Sequence, residues 1–339
     1  MKLLITGGCG FIGSNFINYY FSKLDDNDLI INLDSLYYCS DINNINENIR
    51  NNGKYIFYKG NTSNYDLVYS ILEKHKITHI INFAAQSHVQ NSFTESLQYT
   101  QDNIVGTHTL LEACRNYYQE SPTDNIVDIN NRLFKFIHVS TDEVYGETDD
   151  TKMDETSILT PTNPYAATKA GAEMIALSYY KSFNLPIIIT RGNNVYGPNQ
   201  YPEKLIPKFI HLLFKDKPVT IQGDGSHIRG FLHVDDTSSA FEIIMERGEI
   251  GEIYNIGCDS KDEYSVSQIA EMIIYKIKSI KIDEDSYQKW ITYIKDRPFN
   301  DKRYFISNSK LKSLGWIPKI DFDIGLNRLI GKIGKEYLP

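Results

Sequence analysis

The chain is predicted to be an α/β protein built on a doubly wound parallel sheet, and three features predict it. Short apolar runs alternate with helix-length amphipathic stretches, a glycine-rich turn follows the first run, and a carboxylate closes the second. Runs of four to six mostly apolar residues bounded by polar turns are what a parallel sheet buried on both faces requires. A mixed α+β arrangement is the alternative, and the regularity of the alternation argues against it.

The strands are expected at Lys2–Thr6, Leu29–Leu33, Tyr55–Tyr58, His79–Phe83, Phe134–Val139 and Pro186–Thr190. Helices are expected at Ser14–Lys23, Tyr65–His75, Gln101–Tyr118 and Tyr165–Phe183. Asn116–Arg132, rich in Asn and Asp and broken by Pro122, reads as a surface insertion between a helix and a strand. After Arg191 the alternation fades. Gly, Pro and Asn punctuate Gly192–Pro202, Gly223–Gly230 and Gly257–Asp262, which predicts a smaller mixed α/β domain. Arg229–Gly248 again reads as strand then helix and is expected to return to the first domain. The division is therefore 1–190 plus about 229–250 for the first domain, and 191–228 plus 251–339 for the second.

At 339 residues there is chain for about two domains with a substantial core. Thirty-five basic against 43 acidic residues give a net charge of −8, a poor field for nucleic acid or an anionic membrane. No apolar run approaches the roughly 18 residues of a membrane span, and glycines from Gly7 onward occupy the place of a signal peptide's apolar segment. Cys9, Cys39, Cys114 and Cys258 are scattered, which argues against a metal site or a disulfide scaffold and for a reducing, cytoplasmic setting.

The first run leads into Gly7-Gly8-Cys9-Gly10-Phe11-Ile12-Gly13, a G-x-x-G-x-x-G turn before a helix. Glycines let the backbone approach a pyrophosphate, and the helix start offers free N–H groups and a positive dipole end. Asp34 stands 21 residues past Gly13 at the end of the second strand. A carboxylate there accepts ribose hydroxyls and repels a 2′-phosphate, so NAD is favoured over NADP. Asn61 is either an adenine contact or an ordinary turn residue. The small residues in Phe83-Ala84-Ala85-Gln86-Ser87 suit either close ligand approach or tight helix–sheet packing.

Tyr165 and Lys169 are spaced i, i+4 behind Pro164, on one face of a starting helix. An ammonium beside a phenol is expected to lower the phenol towards the range of a general base. Ser140-Thr141-Asp142-Glu143-Val144-Tyr145-Gly146 follows the fifth strand directly, at the carboxyl end where such sheets bind ligands. Both carboxylates reach one site only if the chain turns there, since neighbours on a strand point to opposite faces. A solvated loop is the plain alternative.

With these residues in view, the chain resembles the extended short-chain dehydrogenase/reductase family and, within it, the nucleoside-diphosphate-glucose 4,6-dehydratases. The likeness runs from about Lys2 to Ile330 through GGCGFIG, FAAQSHV, STDEVYG, NPYAATKAGAE, RGNNVYGPNQYPEKLIPKFI, YNIG and DRPFNDKRY. The Thr-Asp-Glu triplet separates these dehydratases from 4-epimerases, which carry small residues there, and from decarboxylases, which carry Ser at the position of Asp142. The resemblance implies a Rossmann-type fold, bound NAD and a homodimer paired through a four-helix bundle. It implies that Tyr165, assisted by Lys169 and Thr141, takes the proton of the glucose 4-hydroxyl while hydride moves to NAD. Glu143 then removes the C5 proton, Asp142 protonates the leaving 6-hydroxyl, and hydride returns to C6. Acid and base are adjacent yet start in opposite protonation states, so their surroundings must separate the two pKa values.

The cofactor contacts so implied are Gly7, Gly10, Phe11, Ile12, Gly13, Asp34, Asn61, Thr62, Ala84, Ala85, Ser87, Tyr165 and Lys169. For the sugar nucleotide they are Ser87, Asn194, Glu203, Lys204, Leu205, Gln222, Arg229, Asn255, Asn300 and Tyr304, the last two as nucleotide contacts or braces. Asn61 and Gln90 each replace an Asp of the bacterial dTDP-glucose enzymes, Gln222 replaces a stacking aromatic, and Phe299-Asn300 replaces Gly-His. Leu36-Tyr37-Tyr38-Cys39-Ser40 and PFNDKRY look closer to the UDP-glucose dehydratase module of plant rhamnose synthases, which points to UDP-glucose over dTDP-glucose. The competing readings are an epimerase or decarboxylase on this scaffold, against which Asp142 and Glu143 speak, and a non-catalytic NAD-binding protein.

Overall fold

The computed structural model describes residues 1–120, 135–148, 151–281, 283, 286 and 289–337. Its strands are β1 (Lys2–Thr6), β2 (Leu29–Asp34), β3 (Tyr55–Lys59), β4 (His79–Asn82), β5 (Lys135–Thr141), β6 (Ile187–Gly192), β7 (Asn194–Tyr196), β8 (Val219–Gln222), β9 (Ile228–His233), β10 (Ile253–Ile256), β11 (Glu263–Ser265) and β12 (Ile291–Ile294). Seven form one sheet in the order β10-β6-β5-β4-β1-β2-β3, every neighbouring pair parallel. The winding reverses between β1 and β4, and the crevice at the carboxyl ends of these strands is where an open α/β sheet holds its ligand.

The pleat explains why the strands read as unbroken apolar runs. Leu3, Ile5 and Ile30 join one core with Phe16, Ile17, Phe241 and Ile244, under the helices Phe11–Tyr20 and Val234–Arg247. Their neighbours Leu4, Ile31 and Ile80 enter a second core with Val68, Leu110 and Ala176, under the helices Tyr65–His75, Gly106–Glu120 and Pro164–Phe183. Alternate side chains meet opposite layers, so both faces demand hydrocarbon. A third core, with Phe209, Ile221, Ile269, Trp290 and Phe322, lies among the helices Leu205–Phe214, Val266–Lys278 and Phe322–Gly334. It is completed by two small sheets, β11-β9-β7 and β12-β8.

Three differences from the sequence reading have physical causes. The Arg229–Gly248 segment splits: β9 pairs with β7 and β11, whereas the following helix packs on the first core. Beyond the expected boundary at 250, β10 rejoins the large sheet as its edge, pairing Asn255 with Arg191. Four residues, one of them Asn, gave too short an apolar signal. The helix expected from Gln101 is preceded by a π-helical turn, Thr100–Val105, and straightens only at Gly106, where a Cβ would come within 2.8 Å of the Thr62 hydroxyl. That turn swings Asn103 inward, where it accepts from the Gln86 N–H at 2.7 Å and donates to Thr168 at 3.0 Å. Residues 121–134, which carry most of the expected insertion and the first residue of the expected fifth strand, lie outside the described residues.

The helix Pro164–Phe183 has the start its sequence announces. Asn163 caps it by accepting from the Ala166 N–H, Pro164 stands in the first turn, and Asn184 closes it in the left-handed conformation. One helical turn after Lys169, the buried Glu173 takes the fork of Arg191 from β6 at 2.8 Å. Arg191 also donates to the Tyr145 hydroxyl, which donates to Asn255. This pair ties the helix to the sheet and to the turn after β5.

Replacing Glu173 alone with Gln leaves a guanidinium dry and uncompensated, and is expected to cost about 3–5 kcal/mol in chemical denaturation. Replacing Glu173 and Arg191 together with apolar residues of similar volume should recover most of that loss.

Candidate active site

A cleft opens over the β1/β4 crevice, lined by Gly7, Gly10, Phe11, Ile12, Gly13, Asp34, Asn61, Thr62, Ala84, Ala85, Ser87, Tyr165 and Lys169. The glycines have separate reasons. Gly7 has φ +69°, and a Cβ there would lie 2.7 Å from the Ala84 nitrogen; at Gly13 it would lie 2.5 Å from the Gly7 carbonyl. Both are demanded by the chain's own packing. At Gly10, the N-cap of the first helix, a Cβ would meet only the Gly7 carbonyl at 3.3 Å, and no side chain caps the helix. Gly10 therefore keeps a helix N-terminus bare towards the cleft, a cradle that fits a pyrophosphate.

Asp34 is buried and fixed, accepting from the Cys9 N–H at 2.8 Å, the Leu36 N–H at 2.7 Å and the Ser40 hydroxyl at 3.1 Å. Asn61 lines the cleft, and its Oδ1 accepts from the Ser63 N–H in an Asx turn. Likewise Ala84 lines the cleft and packs against the Gly7 backbone.

Where β5 ends the chain turns. Thr141 is extended, and its hydroxyl accepts from the Glu143 N–H at 3.3 Å, starting a 3₁₀ turn over Asp142–Tyr145. The turn brings both carboxylates to a second cavity that opens beside the first. Each is met by an asparagine of fixed orientation. Asn193 donates to Asp142 Oδ2 at 2.6 Å while its own oxygen accepts from the Cys258 N–H at 3.2 Å. Asn163 donates to Glu143 Oε2 at 3.0 Å while its oxygen caps the helix.

Asp142 is pushed up to about 7, first by burial and then by the Glu143 charge, against hydrogen bonds from Asn193 and Thr141. Glu143 is raised by burial, and Asn163, Arg229 and Lys204 oppose the shift. Burial thus raises both carboxyls, and the groups that favour the ionised form differ: Asn193, Thr141 and Arg229 at Asp142, and Asn163, Arg229 and Lys204 at Glu143.

Tyr165 overturns one expectation. Its phenol is held well above its usual range, first by burial, then by the Glu143 and Asp142 charges; a hydrogen bond from Thr141 pulls the other way. Lys169 does not offset this, because its ammonium donates to the Val139 carbonyl at 2.6 Å and is itself lowered to about 8 by burial. Spacing i, i+4 aligned the side chains but did not set the charge.

The second cavity is also lined by Ser87, Asn194, Glu203, Lys204, Leu205, Gln222, Arg229, Asn300 and Tyr304, as expected. Lys204 donates to the Ser87 carbonyl at 2.8 Å, and Glu203 accepts from Tyr38 at 2.9 Å. The guanidinium of Arg229 lies over the Tyr304 ring and donates to Asn300 and to the Ile228, Asp301 and Lys302 carbonyls. Tyr304 reaches Glu143 at 3.4 Å.

Asn255 is a correction. It is fully buried in β10, bonded to Tyr145 and to the Met153 carbonyl, and braces the sheet edge without reaching the cavity. Sequence reasoning missed Arg297, which lines the cavity and donates to Gln222 at 2.9 Å; its signal was the first arginine of DRPFNDKRY. It also missed Asn163 and Asn193, each beside a residue already singled out.

A bare helix terminus that leads to a phenol, a lysine and two adjacent carboxylates, one buried and one half-buried, is the site of a dinucleotide-dependent α/β enzyme working on a neighbouring ligand. Residues 4–329 match the family model described as GDP-mannose 4,6 dehydratase, and the chain belongs to that family. It is 45% identical, over 96% of its length and 80% of the relative's, to a dTDP-D-glucose 4,6-dehydratase of Dictyostelium discoideum. It is 46% identical, over 96% of its length, to a trifunctional UDP-glucose 4,6-dehydratase/3,5-epimerase/reductase of Arabidopsis thaliana, of which it spans 46%. A crystal structure of dTDP-glucose 4,6-dehydratase from Bacillus anthracis in complex with NAD superposes with a TM-score of 0.85 at 37% identity, covering 99% of this chain and 97% of that one. The resemblance read from the motifs and the doubly wound fold are both borne out. Among the described residues no helix is long and apolar enough to cross a membrane.

Because the Asp142 carboxyl titrates higher in the fold than its ordinary 3.8, its contribution to stability is complete below about 4 and is lost as pH rises through about 7. Asp142→Asn is therefore expected to stabilise the protein above neutrality by roughly 2–4 kcal/mol, with the gain vanishing in acid. Denaturant titrations at both ends of that range check it.

Proposed function

We propose that this chain converts a nucleoside-diphosphate-glucose into its 4-keto-6-deoxy derivative, with UDP-glucose preferred over dTDP-glucose. One observation carries the reading: two consecutive carboxylates share a cavity with Tyr165, where burial and the Glu143 charge push Asp142 up to about 7. Elimination of water needs such an acid beside a base.

Gly7, Gly10, Gly13 and Asp34 would hold NAD, which would supply the reversible hydride acceptor for oxidation at C4 and reduction at C6. Tyr165, once ionised against the burial that holds its phenol up, would take the 4-hydroxyl proton, with Lys169 orienting the helix against β5. A ketone at C4 acidifies the C5 hydrogen, which Glu143 removes. Asp142 protonates the 6-hydroxyl as it leaves, and a proton then returns to C5.

Lys204, Arg229 and Arg297 supply the positive charge that a diphosphate requires, and Arg229 is preorganised by the carbonyls around it. Gln222, its oxygen held by Arg297, offers an amide to a pyrimidine edge where a stacking aromatic would suit thymine. In this reading the large sheet carries the cofactor and the smaller unit the sugar nucleotide. The helices Gly106–Glu120 and Pro164–Phe183 pair two subunits, a reading supported by the half-exposed Met174.

Purified protein is expected to turn over UDP-glucose with a kcat/KM at least about tenfold above that for dTDP-glucose. A dTDP preference defeats the choice of nucleotide, and failure with both defeats the reaction. Tyr165→Phe should abolish C4 oxidation. Asp142→Asn should spare oxidation and slow water loss by about 10²–10⁴-fold, so that reduced-nicotinamide absorbance accumulates in stopped flow.

A further inference from the structure

Glu143 is half-buried and lines the cavity that a sugar nucleotide would fill. From the same side chain a series of proton-carrying groups leads to the surface. Tyr304 is buried, sets its phenolic oxygen 3.4 Å from Glu143 Oε2 and donates to Asp301 Oδ2. Asp301 is 1% exposed, and both of its oxygens accept from the Thr162 hydroxyl, at 2.9 and 2.7 Å. Thr162 is exposed. Three contacts therefore join the carboxylate in the cavity to solvent.

The contacts also have a direction. A phenol has one O–H to give, and with Asp301 taking it the Tyr304 oxygen turns a lone pair towards Glu143. Two acceptors facing each other account for a separation as long as 3.4 Å. A protonated Glu143 complements that lone pair. Its Oε2 accepts from Asn163 at 3.0 Å and, once protonated, still has an O–H to aim at Tyr304. Arg229 lies over the Tyr304 ring and donates to the Asp301 carbonyl at 2.8 Å, which fixes both members against the cavity wall.

We propose that Tyr304, Asp301 and Thr162 form a relay through which Glu143 exchanges its proton with solvent while ligand fills the cavity. After Glu143 has taken the C5 proton, its O–H bond breaks as a bond forms to the Tyr304 oxygen. The phenolic proton passes in the same movement to Asp301 Oδ2. Asp301 hands a proton to the Thr162 oxygen, and the Thr162 hydroxyl turns to release its own proton to water. Glu143 and Asp301 end as carboxylates and both hydroxyl groups end neutral, so the net change is one proton delivered to solvent. The reverse sequence reloads Glu143 before C5 is reprotonated. The proposal rests on the dehydratase reading and adds to it the route by which its base reaches water.

Two other accounts make different predictions. Glu143 could exchange with water that enters through the cavity, in which case Asp301 and Thr162 are irrelevant to the exchange. Alternatively, Asp301 could only brace Tyr304, so that its loss slows turnover without changing which hydrogen C5 receives.

The origin of the C5 hydrogen separates them. UDP-glucose is turned over in deuterium oxide, the product is reduced with borohydride at an early quench to stop later exchange beside the ketone, and C5 is read by NMR. The native enzyme is expected to place solvent deuterium at C5. Losing a proton-transfer group slows transfer by about 10²–10⁴-fold, so Asp301→Asn and Thr162→Val should each lower the ratio of deuterium to retained hydrogen at least about tenfold. Thr162→Ser should restore it. Thr162 lies at the surface, so its variants carry the test even if Asp301→Asn fails to fold. Native deuterium content in either Asp301→Asn or Thr162→Val, at whatever rate the variant turns over, overturns the relay. Retention of the substrate's own hydrogen by the native enzyme overturns it as well. Absence of any turnover with UDP-glucose and dTDP-glucose instead marks failure of the dehydratase reading, and the relay falls with it.

Discussion

The site depends on the turn that ends β5. A regular strand would send Asp142 and Glu143 to opposite faces of the sheet, one into each hydrocarbon layer. Thr141 prevents this by accepting the Glu143 N–H, which closes a 3₁₀ turn and delivers both carboxylates to one cavity. Two carboxylates side by side, Asp142 buried and Glu143 half-buried, oppose each other's ionisation, and burial with the Glu143 charge pushes Asp142 up to about 7. The asparagines decide what each carboxyl meets. Asn163 and Asn193 each have their oxygen committed to a backbone N–H and can present only N–H to the acids.

The frame around the turn uses the opposite solution to the same burial problem. Glu173 and Arg191 are as dry as Asp142, but they meet as a forked ion pair. Through Tyr145 and Asn255 this pair holds the helix that bears Tyr165 and Lys169, the strand that precedes Asn193, and the sheet edge. Charge is balanced by a counterion where the fold needs rigidity, and by a retained proton where chemistry needs a mobile one.

Much of this was legible in the residues. Gly7, Gly13 and Asp34 were placed at the crevice from the residues alone because such a turn is local: strand, turn, helix and acid lie within 34 residues. The parallel sheet read correctly because burial on both faces leaves an unmistakable run. What failed was tertiary. The short β10 paired with a strand about 60 residues away, so Asn255 looked like a ligand contact when it was a brace. The phenol of Tyr165 was expected to be lowered by Lys169, but the ammonium bonds to the Val139 carbonyl, and burial decides the shift. Asn163 and Asn193 carry no signature, since their meaning lies in which backbone N–H occupies their oxygen.

That a neutral amide rather than a guanidinium meets Asp142 is itself informative. An arginine at hydrogen-bond distance would hold the carboxylate ionised, as Arg191 suits Glu173, and no proton would be left for a leaving hydroxyl. Arg229 is close enough to be felt by both acids, yet three backbone carbonyls, Asn300 and the Tyr304 ring engage its guanidinium. Its charge reaches the cavity without its N–H groups closing on Asp142. An amide supplies direction with little field, and a tethered guanidinium supplies field with little direction. Dividing the two tasks between them gives adjacent carboxylates different surroundings within a single turn of chain.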